Sequence, residues 1–181
     1  MELNIPSQGN KIQDPEVQSL IKGLEERGIH VRTPEEMEKM IQRVTEGESS
    51  LQEELNISDE AVEALYFMGY TKYRNRRYKD AADIFAFVVA VSPFHYNALF
   101  GLASSKQMLK EYQSAIIFYY SAAPYSKGNP APWFHIGECY MAMQEKDMAK
   151  EAFQTVLKMT SPNSPYGAYV ERTKTILANL G

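Results

Sequence analysis

Tyr66, Tyr70 and Tyr73 fall within one eight-residue stretch, and the same offsets recur at 34-residue steps as Phe100, Ser104 and Gln107, then Phe134, Glu138 and Met141. Side chains of these types do recognition chemistry rather than bond chemistry. Flat rings grip proline and aliphatic anchors, while the hydroxyls, amide and carboxylate are left to hydrogen-bond a main chain. The ligand such a lining suits is an extended peptide carrying apolar anchors and prolines. It suits charge recognition poorly, because repeat proteins that hold a terminal carboxylate place Lys, Arg and Asn inward, where this chain has Tyr66, Tyr70 and Phe100. Other reactive groups are sparse. His30, His95 and His135 are too scattered for a metal site by spacing, and the lone Cys139 reads as a small buried thiol that has no internal disulfide partner. The chain has no Gly-rich phosphate loop, no Gly-x-Ser-x-Gly elbow and no conspicuous carboxylate pair. The expectation is a protein that is not an enzyme, with no catalytic residue, cofactor or metal.

The elements that must position these rings follow from the same interval. Gly69, Ala103 and Gly137 are small residues in one phase; Ala81, Ala115 and Ala149 follow twelve positions later, and Phe85, Tyr119 and Phe153 four beyond those. Leu65, Leu99 and Trp133 keep the same register four residues ahead of the small position. A period of 34 with this pattern is that of the tetratricopeptide helix-turn-helix unit. Two antiparallel helices approach closely where one lacks a bulky side chain, and the aromatic fills the space beside the contact. Ser92-Pro93, Lys127-Gly128-Asn129-Pro130 and Ser161-Pro162-Asn163-Ser164-Pro165 punctuate the unit ends. The predicted fold is all-α: three tandem tetratricopeptide repeats over residues 58–163 in a right-handed superhelix, with amino-terminal helices and a carboxy-terminal capping helix. The first helix of each unit lines the concave side. With Leu65, Met68 and Gly69 assigned to the face packed on the partner helix, Tyr66, Tyr70 and Tyr73 point elsewhere: they are either a binding surface in the groove or ordinary core covered by the amino-terminal helices or the closing helix.

Length and composition agree with one domain and a small appendage: 181 residues, 44% apolar and 12% aromatic. The longest apolar run, residues 84–91, is too short to span a bilayer, and residues 1–15 contain no basic segment followed by an apolar one, so no secretory signal is expected. Residues 1–60 hold 14 acidic and 6 basic side chains, a balance of −8, against 9 acidic and 13 basic, +4, in residues 61–181. The acidic part is either an interaction tail or a set of solvated helix faces. The basic cluster Lys72, Arg74, Arg76, Arg77 and Lys79 reads as a solvated turn, and no nucleic-acid partner is predicted.

Residues 1–13 read as a disordered leader and residues 14–57 as an amino-terminal helical segment. Asp14-Pro15 opens a helix whose stripe is Val17, Leu20, Ile21 and Leu24, ended by Gly28. Thr33-Pro34-Glu35-Glu36 is a capping box ahead of a second stripe, Met37, Met40, Ile41 and Val44. These stripes need a cover: they either fold back on the repeats as a cap or pair with a second copy of the chain. Residues 164–181 form the capping helix, with Tyr169, Val170, Thr173, Ile176, Leu177 and Leu180 on one face.

Four stretches carry a family likeness: Leu65-Tyr66-Phe67-Met68-Gly69-Tyr70-Thr71-Lys72-Tyr73, Arg77-Tyr78-Lys79-Asp80-Ala81, Phe100-Gly101-Leu102-Ala103, and Ala131-Pro132-Trp133-Phe134-His135-Ile136-Gly137-Glu138-Cys139. Together they resemble the class II chaperones of bacterial type III secretion, over about residues 51–180. The resemblance implies a cytosolic, ATP-independent chaperone of pore-forming translocator proteins, which binds a short proline-containing client segment in the concave groove through the inward residues named above. It also implies dimerisation through amino-terminal helices and no insertion into a membrane. The leader is long for the family, and Glu46-Gly47-Glu48-Ser49-Ser50 replaces its Gly-rich turn. The alternative function is a tetratricopeptide scaffold that bridges other proteins.

Overall fold

A computed structural model describes residues 15–27, 32–160 and 164–180. Among the described residues all regular structure is helical, in ten α-helices and one 3-10 turn at Ala123–Tyr125. The leader at residues 1–13, Asp14, Gly28 and His30 lie outside them. The chain divides into two compact units at Ser49/Ser50.

The first unit contains α1 (Pro15–Glu25) and α2 (Pro34–Glu46). At the start of α2 the capping box is complete: Glu36 N–H donates to Thr33 Oγ1 at 3.2 Å and Thr33 N–H to Glu36 Oε2 at 2.8 Å, with Pro34 in the first turn where its missing N–H costs nothing. Gly47 closes the helix at φ 75°, a left-handed conformation that glycine adopts without a Cβ penalty. Of the expected stripes, Met37 and Ile41 are exposed, and Met40, Val44 and Leu24 are half-buried. The side chains of Val17, Leu20 and Ile21 lie outside the described part.

The second unit is the repeat array: α3 (Leu51–Glu54), then the pairs α4 (Asp59–Arg74) with α5 (Tyr78–Val91), α6 (Tyr96–Met108) with α7 (Tyr112–Ala122), and α8 (Ala131–Ala142) with α9 (Lys146–Met159), closed by α10 (Gly167–Leu180). This unit begins at Ser50, and Leu51, Leu55 and Ile57 pack on the core of the first repeat, beside Val62, Phe85 and Val88. Ser50 and Ser58 cap α3 and α4 by accepting the Glu53 and Ala61 N–H groups. α10 starts at Gly167, after a turn in which Tyr166 N–H donates to Ser164 Oγ. Tyr169, Ile176, Leu177 and Leu180 of α10 pack on Phe134, Phe153 and Val156.

In the first and third helix pairs a ring meets a residue without a side chain, and in the second Tyr119 packs with Ala103. Phe85 is 1% exposed, and Tyr119 and Phe153 are 0% exposed. A Cβ at Gly69 would stand 2.9 Å from Phe85 Cε1, and one at Gly137 would stand 2.7 Å from Phe153 Cε1. Phe85 also reaches the next repeat, where a Cβ at Gly101 would lie 2.6 Å from Cζ. The ring is therefore clamped between two glycines of successive units, and burying it in this way joins the units. Met68, expected on the packed face, is 45% exposed; Gly69 and Val62 are the buried residues of α4.

The first helix of every pair ends alike. Arg76, Lys110 and Gln144 have φ of 60°, 63° and 64°, and the two N–H groups at each end bond back to carbonyls of the last turn, as in Lys110 to Gln107 at 2.9 Å and Glu111 to Lys106 at 2.9 Å. This is the glycine-favouring helix stop occupied three times by a longer residue. Arg77, beside it in the first repeat, pairs with Asp80.

Two predictions follow from this packing. Gly137→Ala forces the added methyl into Phe153 and should cost about 1–3 kcal/mol, read as a lowered thermal midpoint; an unchanged midpoint contradicts the clamp. Lys110→Gly relieves a left-handed residue and should raise stability by about 1 kcal/mol, or the midpoint by about 2–4 °C, and a fall would contradict the helix-stop assignment.

Candidate peptide groove

The inward rows of α4, α6 and α8 converge on a concave pocket of about 370 Å³. Seven of the nine sequence-predicted residues line it: Tyr66, Tyr70, Tyr73, Phe100, Ser104, Gln107 and Glu138. Phe134 lies beneath the surface at 0% exposure, and Met141, 40% exposed, lies outside the lining. The structure adds Phe85, Asn97, Gly101, Met108, Tyr119 and His135. Two of these carry a signal in the sequence. Gly101 and His135 share one phase of the repeat, two residues after Leu99 and Trp133, and that phase turns toward the ring of the preceding unit.

One wall is aromatic. Tyr66 lies 6.3 Å from Tyr70 in a stacked pair, 5.9 Å from Phe85, 5.4 Å from His95 and 5.3 Å from Phe67. His95 is held in turn: its Nδ1 accepts the Ala98 N–H and caps α6, and its Nε2 lies 3.0 Å from Glu63 Oε1 of α4. Phe100 meets Tyr119 edge-on at 5.2 Å and His135 at 5.5 Å. Tyr66 and Tyr73 are half-buried while Tyr70 is 44% exposed, so the wall is a partly open sheet of rings. Burial pushes the Tyr66 and Tyr73 phenols above their ordinary range, aided by their tyrosine neighbours. Both are therefore neutral hydrogen-bonding groups.

The floor is polar and connected. Tyr119 is fully buried, so its hydroxyl needs partners. It finds Ser104 Oγ at 3.0 Å and donates to Gln107 Oε1 at 2.7 Å. The Gln107 amide donates to Glu138 Oε2 at 3.4 Å, and His135 Nδ1 lies 2.8 Å from the same oxygen. His135 stacks on Tyr119 with ring centroids 5.3 Å apart and planes 14° apart. Burial pushes the Glu138 carboxyl upward, but His135, Gln107 and Arg172 outweigh it and hold the group below its ordinary value. Tyr119 is pushed far up by burial.

Cys139, one helical turn after the pocket-lining His135 on α8, is 0% exposed and packs with Ala103, Ala115 and Tyr119. Its thiol is pushed up to about 12, first by burial and then by the Glu138 charge. No helix among the described residues is long and apolar enough to cross a membrane.

Comparison with known proteins places this geometry beside one kind of relative. A family model described as Tetratricopeptide repeat matches residues 131–163. The chaperone protein SicA of Salmonella typhimurium is 27% identical over 135 residues, covering 73% of this chain and 81% of its own length. A type III secretion complex from Aeromonas hydrophila superposes with a TM-score of 0.70 at 20% identity, covering 78% of this chain and 95% of that one. The Yersinia enterocolitica type III secretion chaperone SycD, solved with a peptide of the translocator YopD, gives a TM-score of 0.65 at 22% identity over 68% of this chain and 95% of its own. The tetratricopeptide fold and the resemblance to class II type III secretion chaperones both hold.

Cys139 supplies a pH test of this packing. In the unfolded chain the thiol titrates near 9.0, whereas in the fold it keeps its proton up to about 12. The stability it contributes is thus complete below the lower value and is lost as pH rises through that window. The thermal midpoint should fall from about pH 8 to about pH 11, and less steeply in Cys139→Ala; equal slopes would mean that the thiol is not buried in the fold.

Proposed function

We propose that this chain, a relative by resemblance of the class II type III secretion chaperones, is itself a cytoplasmic chaperone of secreted translocator proteins. It holds an extended, proline-containing segment of the client in the groove of its second unit and keeps the client soluble before secretion. The observation that carries this reading is the pocket, whose aromatic wall is partly open and whose floor is a satisfied hydrogen-bond network.

Each part has a role in the proposal. Tyr66, Tyr70 and Phe100 supply flat apolar surfaces for proline rings and aliphatic anchors. Ser104, Gln107 and the tyrosine hydroxyls offer donors and acceptors to the client main chain, which would otherwise be desolvated without partners. Because the floor network already fixes Gln107 and Glu138, little side-chain order remains to be gained on binding. The binding is passive: nothing in it requires nucleotide hydrolysis or any covalent step, so an enzymatic role is not part of the proposal. Met141, exposed beyond the pocket, extends the contact surface at the third repeat. In the first unit the exposed Met37 and Ile41 of α2 are an apolar surface for a second copy of the chain.

The test is a calorimetric titration with the proline-containing segment of the translocator that co-purifies from the native host. Removing one ring by Tyr66→Ala or Tyr70→Ala should cost about 2 kcal/mol, or about 30-fold in affinity, on the scale of interface hot spots. Unchanged affinity in the double variant would remove the groove from the mechanism.

A further inference from the structure

Tyr66, Phe100 and Phe134 occupy one phase of the repeat, yet only the first two line the pocket. Phe134 is covered by α10. Tyr169 meets its ring edge-on at 5.1 Å, and the Arg172 guanidinium lies 4.6 Å from its centroid. The same guanidinium donates from Nη2 to Glu138 Oε1 at 3.2 Å. Arg172 stands 34 residues after Glu138, so capping helix and third repeat put an arginine and a carboxylate in matching places.

An aromatic face beside a carboxylate is what recognises a guanidinium or an ammonium group: the ring quadrupole attracts the cation and the carboxylate takes its N–H groups. Glu138 is the only residue of formal charge among those lining the pocket. Its Oε2 is committed to His135 and Gln107, while its Oε1 is held by Arg172. The occupant is loosely kept, since the Arg172 side chain is 61% exposed and an ion pair so placed is a weak anchor. Nor is Arg172 needed to hold α10, which is fixed by Tyr169, Ile176, Leu177 and Leu180 in the core.

We propose that Phe134 and Glu138 form a cation subsite at the third-repeat end of the groove, filled in the free chain by Arg172 and open to an arginine or lysine side chain of a bound peptide. This rests on the peptide-groove reading for its biological use. A client segment with a basic residue beyond its proline-containing stretch displaces Arg172 and gains both partners; a neutral one leaves the arginine in place. The subsite thus sets register and selects among clients.

The test uses small probes, so it is decided apart from the peptide titration: a negative result here leaves that reading standing. In the full chain carrying Arg172→Ala, N-acetylarginine amide is titrated while the resonances of Phe134 and Glu138 are followed by NMR, with the isosteric but neutral N-acetylcitrulline amide as control. The arginine probe should bind about fivefold tighter than the citrulline probe, the scale of one solvent-accessible ion pair. That preference should shrink in the wild type, where Arg172 competes, and vanish when Glu138→Gln is added. Arg172→Gln, which keeps the stem over Phe134, repeats the measurement in case the alanine variant loses its helix content. Equal binding of the two probes, or a preference untouched by Glu138→Gln, overturns the subsite; unfolding of both Arg172 variants also overturns it, by making the residue a structural staple.

Discussion

A ring seated over a glycine, or in the middle repeat packed with an alanine, is the contact on which the repeat array depends. Phe85 fills the space that a Cβ at Gly69 or Gly101 would need, and Phe153 does the same at Gly137. Because Phe85 touches glycines of two successive repeats, one side chain both closes its own helix pair and seats the next pair upon it. Close packing leaves no room for a methylene at such points. This is why the 34-residue interval runs from Leu65 to Phe153 without an insertion.

The groove is the other side of that arrangement. Once the small positions face the partner helix, the residue one place after Leu65 or Leu99 turns inward, and Tyr66 and Phe100 become a wall. The middle repeat adds a complication with a use. Its clamp ring is a tyrosine, and a buried hydroxyl must be satisfied; Tyr119 takes Ser104 and Gln107, both on the inward face of α6. The core thereby fixes the polar groups of the pocket floor, and Gln107 passes the order on to Glu138. A rigid core residue and the lining of a binding site are one network.

Much of this was legible in the sequence because repetition multiplies the signal. Three copies of small-residue, alanine and aromatic positions set the phase, the breakers set the ends, and the Thr33 capping box was readable from local chemistry alone. What escaped reading was what differs between copies or lies outside the repeated pattern. Phe134 shares its phase with Tyr66 and Phe100, yet α10 covers it, a tertiary effect that no local rule contains. His135 sits where the preceding repeat has Gly101, and its stacking on Tyr119 depends on a contact across 16 residues of chain and two helices. Met68 looked like a packing residue by spacing but is exposed, because Gly69 alone lets the helices approach. Residues 51–57 read as part of the amino-terminal segment because α3 is too short to show a period, while the apolar side chains of Leu51, Leu55 and Ile57 pack on the first-repeat core.

The central claim is that the clamps leave a ring-lined trough in the repeat unit which receives an extended client strand. Its most direct test is a crystal structure of the full chain with the client segment isolated from the native host. The account predicts that segment running extended across α4, α6 and α8, with an apolar or proline side chain against Tyr66 and Phe100 and main-chain hydrogen bonds to the Ser104 and Gln107 row. A client bound on the outer helices α5 and α7, or this chain's own amino-terminal helices filling the trough with the client bound elsewhere, would contradict it.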